Sequence, residues 1–359
     1  MNIAINGFGR IGRSSFKIAL EKSNVSVVAI NDLTHPRILA HLLKYDTAYG
    51  IFLKDIYVEE DGKKIRLESY KGEKDFYNSQ YQEAYLVVDG KKTRIFGEKD
   101  PAKLPWKNLQ VDTVLECTGR FTDNDAARAH IQSGAKKVVV SAPTKGGTAK
   151  IFLQGVNSDK YEGQEIISNA SCTTNCISPV VALMHTHFKI LKSVMTTVHA
   201  ITAEQNIVDG PPPPLHPDMR RARAAGYNMV PTTTGAAIAT TEAIPDLVNK
   251  FDGISIRVPI ITGSLSDITM LVEKNTTVEE VNTVFVSATS NPFYKNILSA
   301  TYEPIVSSDI VGSPFSAIVD LTMTKVVDGN LVKVLAWYDN EWGYSNRLVE
   351  MAMLAGSGN

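Results

Sequence analysis

Short apolar runs alternate with amphipathic stretches in the first third of the chain. An apolar run over residues 3–6 is followed by a helical pattern over 10–21 and by a second apolar run over 25–30. A strand, a helix and a second strand in this order form a βαβ unit. The pattern therefore predicts a parallel sheet.

A region of polar strands interrupts this alternation. Its strands flank Asp61-Gly62 and Asp89-Gly90, two dipeptides that favour two-residue hairpin turns. The stretch Tyr70–Gln82 between them has no clear pattern, and we expect a peripheral insertion there. Parallel strands are predicted again at 113–116 and 137–140, so the α/β domain resumes after the insertion.

Longer and more strictly alternating strands follow in the second half. A sheet with one face covered by helices has this pattern, which favours an antiparallel sheet and a second domain of the α+β type. The predicted strands are 194–199, 253–259, 264–273, 317–327 and 331–337. The segment 204–229 contains four consecutive prolines from Pro211 and is expected to form a long arm instead of a helix.

A glycine motif joins the first predicted strand to the first helix. Gly7 suits the tight turn, Gly9 allows close approach of a pyrophosphate, and Gly12 allows the helix to pack on the strand. Asp32 lies at the end of the second strand, where a carboxylate accepts hydrogen bonds from ribose hydroxyls and repels a 2′-phosphate. The motif predicts NAD binding; a plain glycine turn beside a surface aspartate is the alternative.

A cysteine begins a predicted helix in the middle of the chain. The free N–H groups and dipole of a helix N-terminus favour the thiolate of Cys172, which is the reactive form of a thiol. Cys176 is one turn further on and is expected to pack inward. His199, at the end of a predicted strand, is the best placed of seven histidines to act as a base. The alternatives are an inert buried thiol and a packed histidine; no metal site is expected, because further ligands at suitable spacing are absent from the sequence.

Two further features suit the binding of anions. Residues 231–237, Pro-Thr-Thr-Thr-Gly-Ala-Ala, open another predicted helix with hydroxyl and N–H groups that fit a phosphate. Arg221 lies in a basic turn, where a solvated face is the alternative. Arg257 lies between apolar neighbours on a predicted strand and needs an anionic partner.

Composition narrows the class of protein further. The 359-residue chain has a net charge of −1, which gives no general attraction to nucleic acids or anionic membranes. No apolar run approaches the ~20 residues that span a bilayer. Three cysteines and the lack of an N-terminal signal pattern indicate a reducing compartment, and we expect the cytoplasm.

Several motifs, in this order along nearly the whole chain, resemble those of phosphorylating glyceraldehyde-3-phosphate dehydrogenase. They are Asn-Gly-Phe-Gly-Arg-Ile-Gly at 6–12, Ser-Ala-Pro at 141–143, Ser-Cys-Thr-Thr-Asn-Cys at 171–176, the threonine run at 231–237, Arg-Val-Pro at 257–259 and Trp-Tyr-Asp-Asn-Glu-Trp-Gly-Tyr at 337–344. The resemblance implies a Rossmann-type NAD-binding domain, 1–171, and a catalytic domain, 172–339, with a C-terminal helix, 340–359, packing back onto the first domain.

The resemblance also implies a glycolytic and gluconeogenic activity. Glyceraldehyde 3-phosphate, inorganic phosphate and NAD would be converted to 1,3-bisphosphoglycerate and NADH through a thioester on Cys172, with His199 as the base. The implied anion contacts are Ser171, Thr173, Thr234 and Gly235 for the attacking phosphate, Thr202 and Arg257 for the substrate phosphate, and Arg221 at the edge of the site. The implied cofactor contacts are Gly7, Gly9, Arg10, Ile11, Gly12, Asp32, Lys99, Thr118, Ser141 and Asn340.

The family resemblance further implies a homotetramer in which the arm packs across a subunit interface. Two stretches depart from the family pattern, the arm from Asp209 to His216 and the insertion Tyr70–Gln82. Two rivals remain: erythrose-4-phosphate dehydrogenase, which hydrolyses its thioester, and a non-catalytic NAD- or RNA-binding protein with the same fold. The intact threonine run disfavours the first, and Cys172 with His199 disfavours the second.

Overall fold

The computed structural model describes residues 1–69, 81–147, 149–212 and 218–357. Most of the predicted insertion Tyr70–Gln82, and residues 213–217 of the proline-rich arm, lie outside the described residues. The chain forms two compact units. The first comprises 1–150, 162–169 and 348–359, and the second comprises 151–161 and 170–347. The predicted domain boundaries stay a prediction.

The first unit is built on a sheet with a parallel half and an antiparallel half. Its order is Ile166–Ser168, Lys137–Val140, Thr113–Glu116, Asn2–Asn6, Ser26–Asn31, Lys91–Phe96, Ala84–Val88, Ile56–Glu60 and Lys63–Arg66. The strands from Ile166–Ser168 through Lys91–Phe96 pair in parallel. The helices are Arg10–Leu20, Pro36–Lys44 and Asn124–Gln132, and Tyr45–Asp46 pairs with Gly50–Ile51 in a small separate ladder. The predicted parallel α/β architecture is confirmed.

Both predicted hairpins of the antiparallel half are present. Glu60 pairs with Lys63 and Val88 with Lys91, so each loop has two residues. Asp61 and Asp89 have φ of 47°, and the glycine after each has φ of 77° or 79°. Positive φ at both central residues matches the twist of the flanking strands, which is why Asp-Gly predicts this turn.

The second unit has a mixed sheet. Its order is Val230–Thr233, Phe251–Val258, Ile190–Ala200, Ser264–Val272, Leu331–Tyr338, Ala317–Asp320 and Leu298–Thr301, with Lys325–Val327 also paired to Leu331–Tyr338. The helices are Cys172–Phe188, Ala236–Ala243, Val278–Thr289 and Trp342–Gly356, of which residues 348–356 belong to the first unit. None of the helices in the described part of the chain is long and apolar enough to cross a membrane.

Two sequence expectations for this sheet need correction. Ile190–Ala200 and Phe251–Val258 pair in parallel, because the helix Ala236–Ala243 lies between them in the chain. The single strand predicted over 317–327 is wrong. Asp320 Oδ1 accepts hydrogen bonds from the N and Oγ1 atoms of Thr322, at 3.2 Å and 2.6 Å, and this turn ends the first of two strands.

The helix Cys172–Phe188 lies against the second sheet. Cys176, Val180 and Met184 recur on one face at helical spacing and are fully buried in the core of this unit. Burial of each large apolar side chain contributes about 1.5–3 kcal/mol. This packing fixes the helix and thereby the position of Cys172 at its first turn.

Candidate active site

Five of the predicted cofactor residues follow the ends of neighbouring strands in the first unit. They are Gly7, Asp32, Lys99, Thr118 and Ser141, each within three residues of a strand end. The strands concerned are adjacent and parallel, so these ends lie along one edge of the sheet. In open α/β sheets this carboxyl edge binds ligands.

The glycine motif has the geometry that a dinucleotide site requires. Gly7 has φ of +92°, and a Cβ there would lie 2.8 Å from the backbone nitrogen of Thr118. A Cβ on Gly12 would collide with the carbonyl oxygen of Gly7. Gly9 caps the helix Arg10–Leu20 without a side-chain hydrogen bond, and the space beside it is open. Gly9 itself supplies no side-chain cap, and N–H groups at a helix start of this kind suit a pyrophosphate.

The carboxylate of Asp32 is held beside this turn. Its Oδ2 accepts from the backbone N–H of Phe8 at 2.7 Å, and its Oδ1 accepts from that of Thr34 at 2.8 Å. Arg10 forms an ion pair with Asp46 at 2.6 Å, so its guanidinium is held by the protein itself. The combination of a glycine turn, a helix start and a fixed carboxylate fits a dinucleotide with free ribose hydroxyls.

A buried polar chain lies behind the carboxyl edge, and sequence reasoning missed it. Glu116 Oε1 accepts hydrogen bonds from the N and Oγ1 atoms of Thr118, and its Oε2 accepts from Asn6 Nδ2. Asn31 Nδ2 donates to Asn6 Oδ1 at 2.7 Å and to the carbonyl oxygen of Glu98 at 2.9 Å. The chain therefore ties together Asn6 and Asn31, which immediately precede Gly7 and Asp32, and Glu116, which holds Thr118.

His130 completes this chain with a defined tautomer. The indole N–H of Trp106 can only donate, and it lies 3.0 Å from Nδ1 of His130. The imidazole proton is therefore on Nε2, which donates to Glu116 Oε2 at 2.9 Å. Trp106 and His130 are fully buried, so water does not compete for these bonds.

In the second unit, Cys172 is the first residue of the helix Cys172–Phe188, as the sequence predicts. Ser171 is the N-cap, and its Oγ accepts from the backbone N–H of Thr174 at 3.1 Å. Cys172 Sγ lies 3.3 Å from His199 Nε2. The structure thus brings together the predicted nucleophile and base.

The orientation of His199 is set by its own strand. Its Nδ1 lies 2.7 Å from the carbonyl oxygen of Ala200. A neutral imidazole has one N–H; in the tautomer with this proton on Nδ1, it donates to Ala200 and the Nε2 lone pair faces Cys172 Sγ. The pair is therefore arranged for transfer of the thiol proton to Nε2.

Electrostatics at this pair correct one expectation from the sequence. Burial raises the pKa of Cys172, although Arg257, Thr173 and the helix backbone act in the opposite direction. Burial, with Arg257 second, lowers the pKa of His199 to about 3. The helix N-terminus alone predicts a low pKa for the thiol. Burial outweighs this effect and favours the neutral thiol and the neutral imidazole.

Arg257 lies directly beside His199 because the two residues are register partners in parallel strands. Its Nη1 lies 2.8 Å from His199 Nδ1 and donates to Thr202 Oγ1 at 3.2 Å. Within the described residues Arg257 makes no ion pair, and its buried Nε has no hydrogen-bond partner. A partly buried guanidinium with a buried, unused Nε donor fits the binding of an external anion.

A second cation lies next to this group. Arg221, in the short helix Met219–Ala222, forms an ion pair with Glu204 at 3.0 Å and donates from Nε to Thr232 Oγ1 at 3.1 Å. Thr202 Oγ1 donates to the same oxygen of Glu204 at 2.6 Å. Burial raises the pKa of Glu204, but Thr202, Arg257 and Arg221 outweigh it, and the net shift is downward. Glu204 therefore holds Thr202 and Arg221 in place as a carboxylate.

The remaining predicted anion contacts lie on helix starts and strands of the same unit. Thr173 is buried, with its Oγ1 3.0 Å from the hydroxyl oxygen of Tyr338. Thr234 Oγ1 accepts from the backbone N–H of Ala236, and Gly235 caps the helix Ala236–Ala243 without a side-chain bond. The N–H groups at this helix start resemble those at Gly9 and suit a phosphate.

Asn340 lies in a turn of the second unit with its amide orientation fixed. Its Oδ1 accepts from the Oγ of Ser264 at 2.9 Å and from the backbone N–H of Gly263 at 3.2 Å. Asp339 fixes the same turn by accepting from the N–H groups of Glu341 and Trp342 at 2.9 Å. The amide nitrogen of Asn340 is thus the end directed away from these donors.

The structure brings several of the predicted site residues together, and the residues that hold them in place were not predicted. Contacts within the second unit link Cys172, His199, Arg257, Thr202 and Arg221. The supports that were missed are Glu204, Thr232, Ser264 and, in the first unit, Asn6, Asn31, Glu116 and His130. The signal that could have found several of them is their position at predicted strand ends.

Two features define the class of protein: the parallel sheet with its dinucleotide motif, and the thiol–imidazole pair with arginines nearby. They are typical of nucleotide-dependent oxidoreductases that act through cysteine. Comparison with known proteins gives the family. Residues 171–340 match the family model "Glyceraldehyde 3-phosphate dehydrogenase, C-terminal domain". Residues 1–75 and 63–124 match the model "Glyceraldehyde 3-phosphate dehydrogenase, NAD binding domain".

Full-length relatives agree with these models. The chain is 49% identical to the glyceraldehyde-3-phosphate dehydrogenase of Thermotoga maritima over 351 residues, 97% of each chain. It is 46% identical to glyceraldehyde-3-phosphate dehydrogenase 2 of Streptomyces avermitilis over 360 residues, 99% of each chain. It is 45% identical to the Clostridium acetobutylicum enzyme of the same name, over 97% of this chain and 96% of the relative.

The chain belongs to the glyceraldehyde-3-phosphate dehydrogenase family. The resemblance inferred from the sequence motifs is confirmed. The predicted fold class and NAD as the cofactor are confirmed as well, since the family model of the first half is an NAD-binding domain.

Proposed function

We propose that this protein oxidises glyceraldehyde 3-phosphate with NAD and inorganic phosphate, giving 1,3-bisphosphoglycerate and NADH. One observation carries the proposal: Cys172 Sγ lies 3.3 Å from His199 Nε2, directly beside Arg257, which makes no ion pair with any described residue. A nucleophile, a base and a partly buried cation without an ion pair are what a phosphorylated aldehyde requires.

The thiol begins the reaction on the aldehyde carbon. The S–H proton passes to His199 Nε2 as the S–C bond forms, and the product is a hemithioacetal. NAD, when bound, would supply the hydride acceptor that the oxidation of this carbon requires. Before this oxidation, His199 releases the thiol proton to the carbonyl oxygen, which becomes a hydroxyl. His199 then takes the proton of this hydroxyl, and a thioester to Cys172 remains. Phosphate oxygen then attacks the thioester and the C–S bond breaks. His199 returns its proton to the Cys172 sulfur, and the acyl phosphate leaves.

The anion-binding residues orient the two phosphates around the sulfur. Arg257 and Thr202 would bind the substrate phosphate, with Arg221 at the edge of the site. The attacking phosphate would be bound by Ser171, Thr173, Thr234 and Gly235. When both reactants are held at one sulfur, the entropy cost of bringing them together is met on binding. Such orientation can lower the activation free energy by about 7–11 kcal/mol.

The cofactor contacts follow from the carboxyl edge of the first unit. The helix start after Gly9 would bind the pyrophosphate through its N–H groups, including those of Arg10 and Ile11, while Gly7 and Gly12 allow the turn to form. The other proposed contacts are Asp32 to the adenosine ribose, Lys99 beside the adenine, Thr118 and Ser141 toward the nicotinamide half, and Asn340 to the carboxamide.

A substrate and cofactor panel tests the proposal. Purified protein is assayed with glyceraldehyde 3-phosphate or erythrose 4-phosphate, with NAD or NADP, and with or without phosphate. We expect NADH formation that requires glyceraldehyde 3-phosphate and phosphate together. Phosphate-independent turnover of erythrose 4-phosphate, with poor use of glyceraldehyde 3-phosphate, would show the sister activity instead.

A cysteine variant separates an enzyme from a binding protein with the same fold. Cys172→Ser is expected to abolish turnover while NAD affinity, measured by calorimetry, stays within a few-fold of wild type. Cys176→Ser is the matched control, because Cys176 packs in the core one turn further along the helix. An active Cys172→Ser variant would exclude Cys172 as the nucleophile.

The assembly and location belong to the same proposal. We expect a homotetramer with its arm at a subunit interface, and a cytoplasmic location. Three free cysteines in the described chain are in keeping with a reducing compartment.

A further inference from the structure

Ser264 bridges two strand ends in the second unit. It is fully buried at the start of the strand Ser264–Val272. Its Oγ accepts a hydrogen bond from the backbone N–H of Ala200 at 3.1 Å and donates one to Asn340 Oδ1 at 2.9 Å. One hydroxyl therefore satisfies a backbone group on one side and a side-chain amide on the other.

The bond to Asn340 determines which end of the amide is free. Gly263 N–H also donates to Oδ1, at 3.2 Å, and so does Thr262 Oγ1, at 3.3 Å, so three donors face the oxygen. A flipped amide would place its NH₂ group against the N–H of Gly263 and leave the Ser264 proton without this acceptor. In the described part of the chain, no residue accepts a hydrogen bond from Nδ2 of Asn340. That N–H pair is thus available to a ligand carbonyl.

The hydrogen bond from the N–H of Ala200 to Ser264 Oγ affects the placement of His199, the proposed base. The carbonyl oxygen of Ala200 lies 2.7 Å from Nδ1 of His199 and fixes the orientation of the imidazole. Ser264 fixes the N–H of the same residue. Without the hydroxyl, a backbone N–H of a fully buried residue loses its partner, and the residue that holds His199 is less firmly placed.

We propose that Ser264 is a positioning residue, whose hydroxyl directs the Asn340 amide to the nicotinamide carboxamide of NAD and holds the residue that orients His199. The proposal rests on the proposed function, because it requires NAD as the ligand of Asn340. Ser264 itself touches neither substrate nor cofactor in this scheme.

Binding measurements with two nucleotides test the first half of the proposal. ADP-ribose lacks the nicotinamide ring, so its affinity does not depend on Asn340. By calorimetry, Ser264→Ala is expected to weaken NAD binding about tenfold, the effect of one lost hydrogen bond, and to leave ADP-ribose binding within about twofold of wild type. A variant that is merely less stable would weaken both.

Ser266→Ala is the matched control. Ser266 lies two residues further on the same strand, is equally buried on the same face, and has its hydroxyl beside Cys176 instead of Asn340. It should bind NAD and ADP-ribose like wild type. Equal losses of NAD affinity in Ser264→Ala and Ser266→Ala would overturn the positioning role.

Asn340→Ala supplies the second background. Because Ser264 acts on the nicotinamide through Asn340, Ser264→Ala should cause no further loss of NAD affinity in Asn340→Ala, and full additivity would overturn the proposal. The second half of the proposal predicts that Ser264→Ala lowers kcat in the double variant as well, through His199.

A replacement variant and the behaviour of the wild-type chain separate the remaining outcomes. If Ser264→Ala does not fold, Ser264→Cys against Ser266→Cys carries the same comparison, since a thiol is a weaker donor than a hydroxyl. If the wild-type chain fails to bind NAD, the proposed function falls. NAD binding and turnover with unchanged NAD affinity in Ser264→Ala would overturn only the positioning role.

Discussion

Cys172 illustrates how burial and helix position compete at one atom. Its helix start, Thr173 and Arg257 favour the thiolate, whereas removal from water favours the thiol and raises the pKa. Cys117 and Cys176 also have raised pKa values, with burial as the main cause. Neither of them has an imidazole partner among the described residues, so Cys172 remains the most readily ionised of the three.

Alkylation kinetics test this ranking. Iodoacetate is expected to modify Cys172 far faster than Cys117 or Cys176 in the folded protein, because only Cys172 can pass its proton to an adjacent imidazole. Peptide mass spectrometry after short exposures measures the three rates. Similar labelling of all three cysteines would contradict the assignment.

The lowered pKa of His199 predicts that the folded protein loses stability in acid. Its pKa falls from an ordinary value of about 6.5 to about 3 on folding, so the unfolded chain binds a proton between these values and the folded chain does not. The contribution of this group to the free energy of unfolding is fully present above pH 6.5 and is lost as the pH falls toward 3. Between pH 7 and 5 the loss is on the order of 2 kcal/mol.

Chemical denaturation at several pH values measures this slope. His199→Asn should lose less stability than wild type between pH 7 and 5. His187→Asn, at an exposed histidine of the nucleophile helix, should keep the wild-type slope. Equal slopes in wild type and His199→Asn would show that His199 does not titrate in this way.

At the scale of elements, the buried hydrogen-bonded side chains behind the carboxyl edge require a carboxylate at Glu116. Glu116 accepts from Thr118 with one oxygen and from Asn6 and His130 with the other. A glutamine has one acceptor end only, and His130 cannot change its tautomer because Trp106 donates to its Nδ1. Glu116→Gln therefore leaves donors facing each other in a dry site.

We expect Glu116→Gln to lose about 1–3 kcal/mol of stability and to weaken the binding of both NAD and ADP-ribose, since Gly7, Asp32 and Thr118 depend on the same strand ends. Glu60→Gln is the control, at a buried carboxylate of the same unit that pairs with Arg37. It should lose stability without a change in nucleotide affinity. Wild-type nucleotide affinity in Glu116→Gln would exclude a role for this chain in binding.

Elements with strong local signals could be predicted from the sequence. The strands at 113–116 and 137–140 have the predicted bounds, since each is a short buried run between polar residues. The strand expected over 317–327 failed, because its alternation continues through residues that form a side-chain turn at Asp320.

Some residues of the candidate site likewise have a local sequence signal, and others depend on the fold. Cys172 and His199 could be found from local context, and Arg257 from its apolar neighbours. Ser264 and Glu116 could not, because their roles depend on strand register and on the order of strands in the sheet. The pKa of Cys172 was missed because depth of burial depends on the whole fold.

At the scale of the whole molecule, exposed apolar residues favour the proposed assembly. Ile207, Val208 and Tyr227 are 88%, 73% and 90% exposed. They lie in neighbouring segments, since Ala225 N–H donates to the carbonyl oxygen of Asn206 at 2.9 Å. Large apolar side chains clustered in this way are usually covered by a partner.

Sedimentation measures the assembly. Wild type is expected at four times the 39.2 kDa chain mass, and Tyr227→Asp should shift it to smaller species by placing a charge in the interface. Val327→Asp, at an exposed valine on a short strand of the second sheet, should remain tetrameric. A monomeric wild type would overturn the proposed assembly.

The chain of Trp106, His130, Glu116, Asn6 and Asn31 also bears on how such a protein can evolve. Every member's donor or acceptor role is set by its neighbour, so a single substitution leaves a mismatched pair in a dry site. Change at these positions would have to occur in compensating pairs. Mutational paths along this edge should therefore be strongly epistatic, whereas the exposed Lys99 nearby can vary independently.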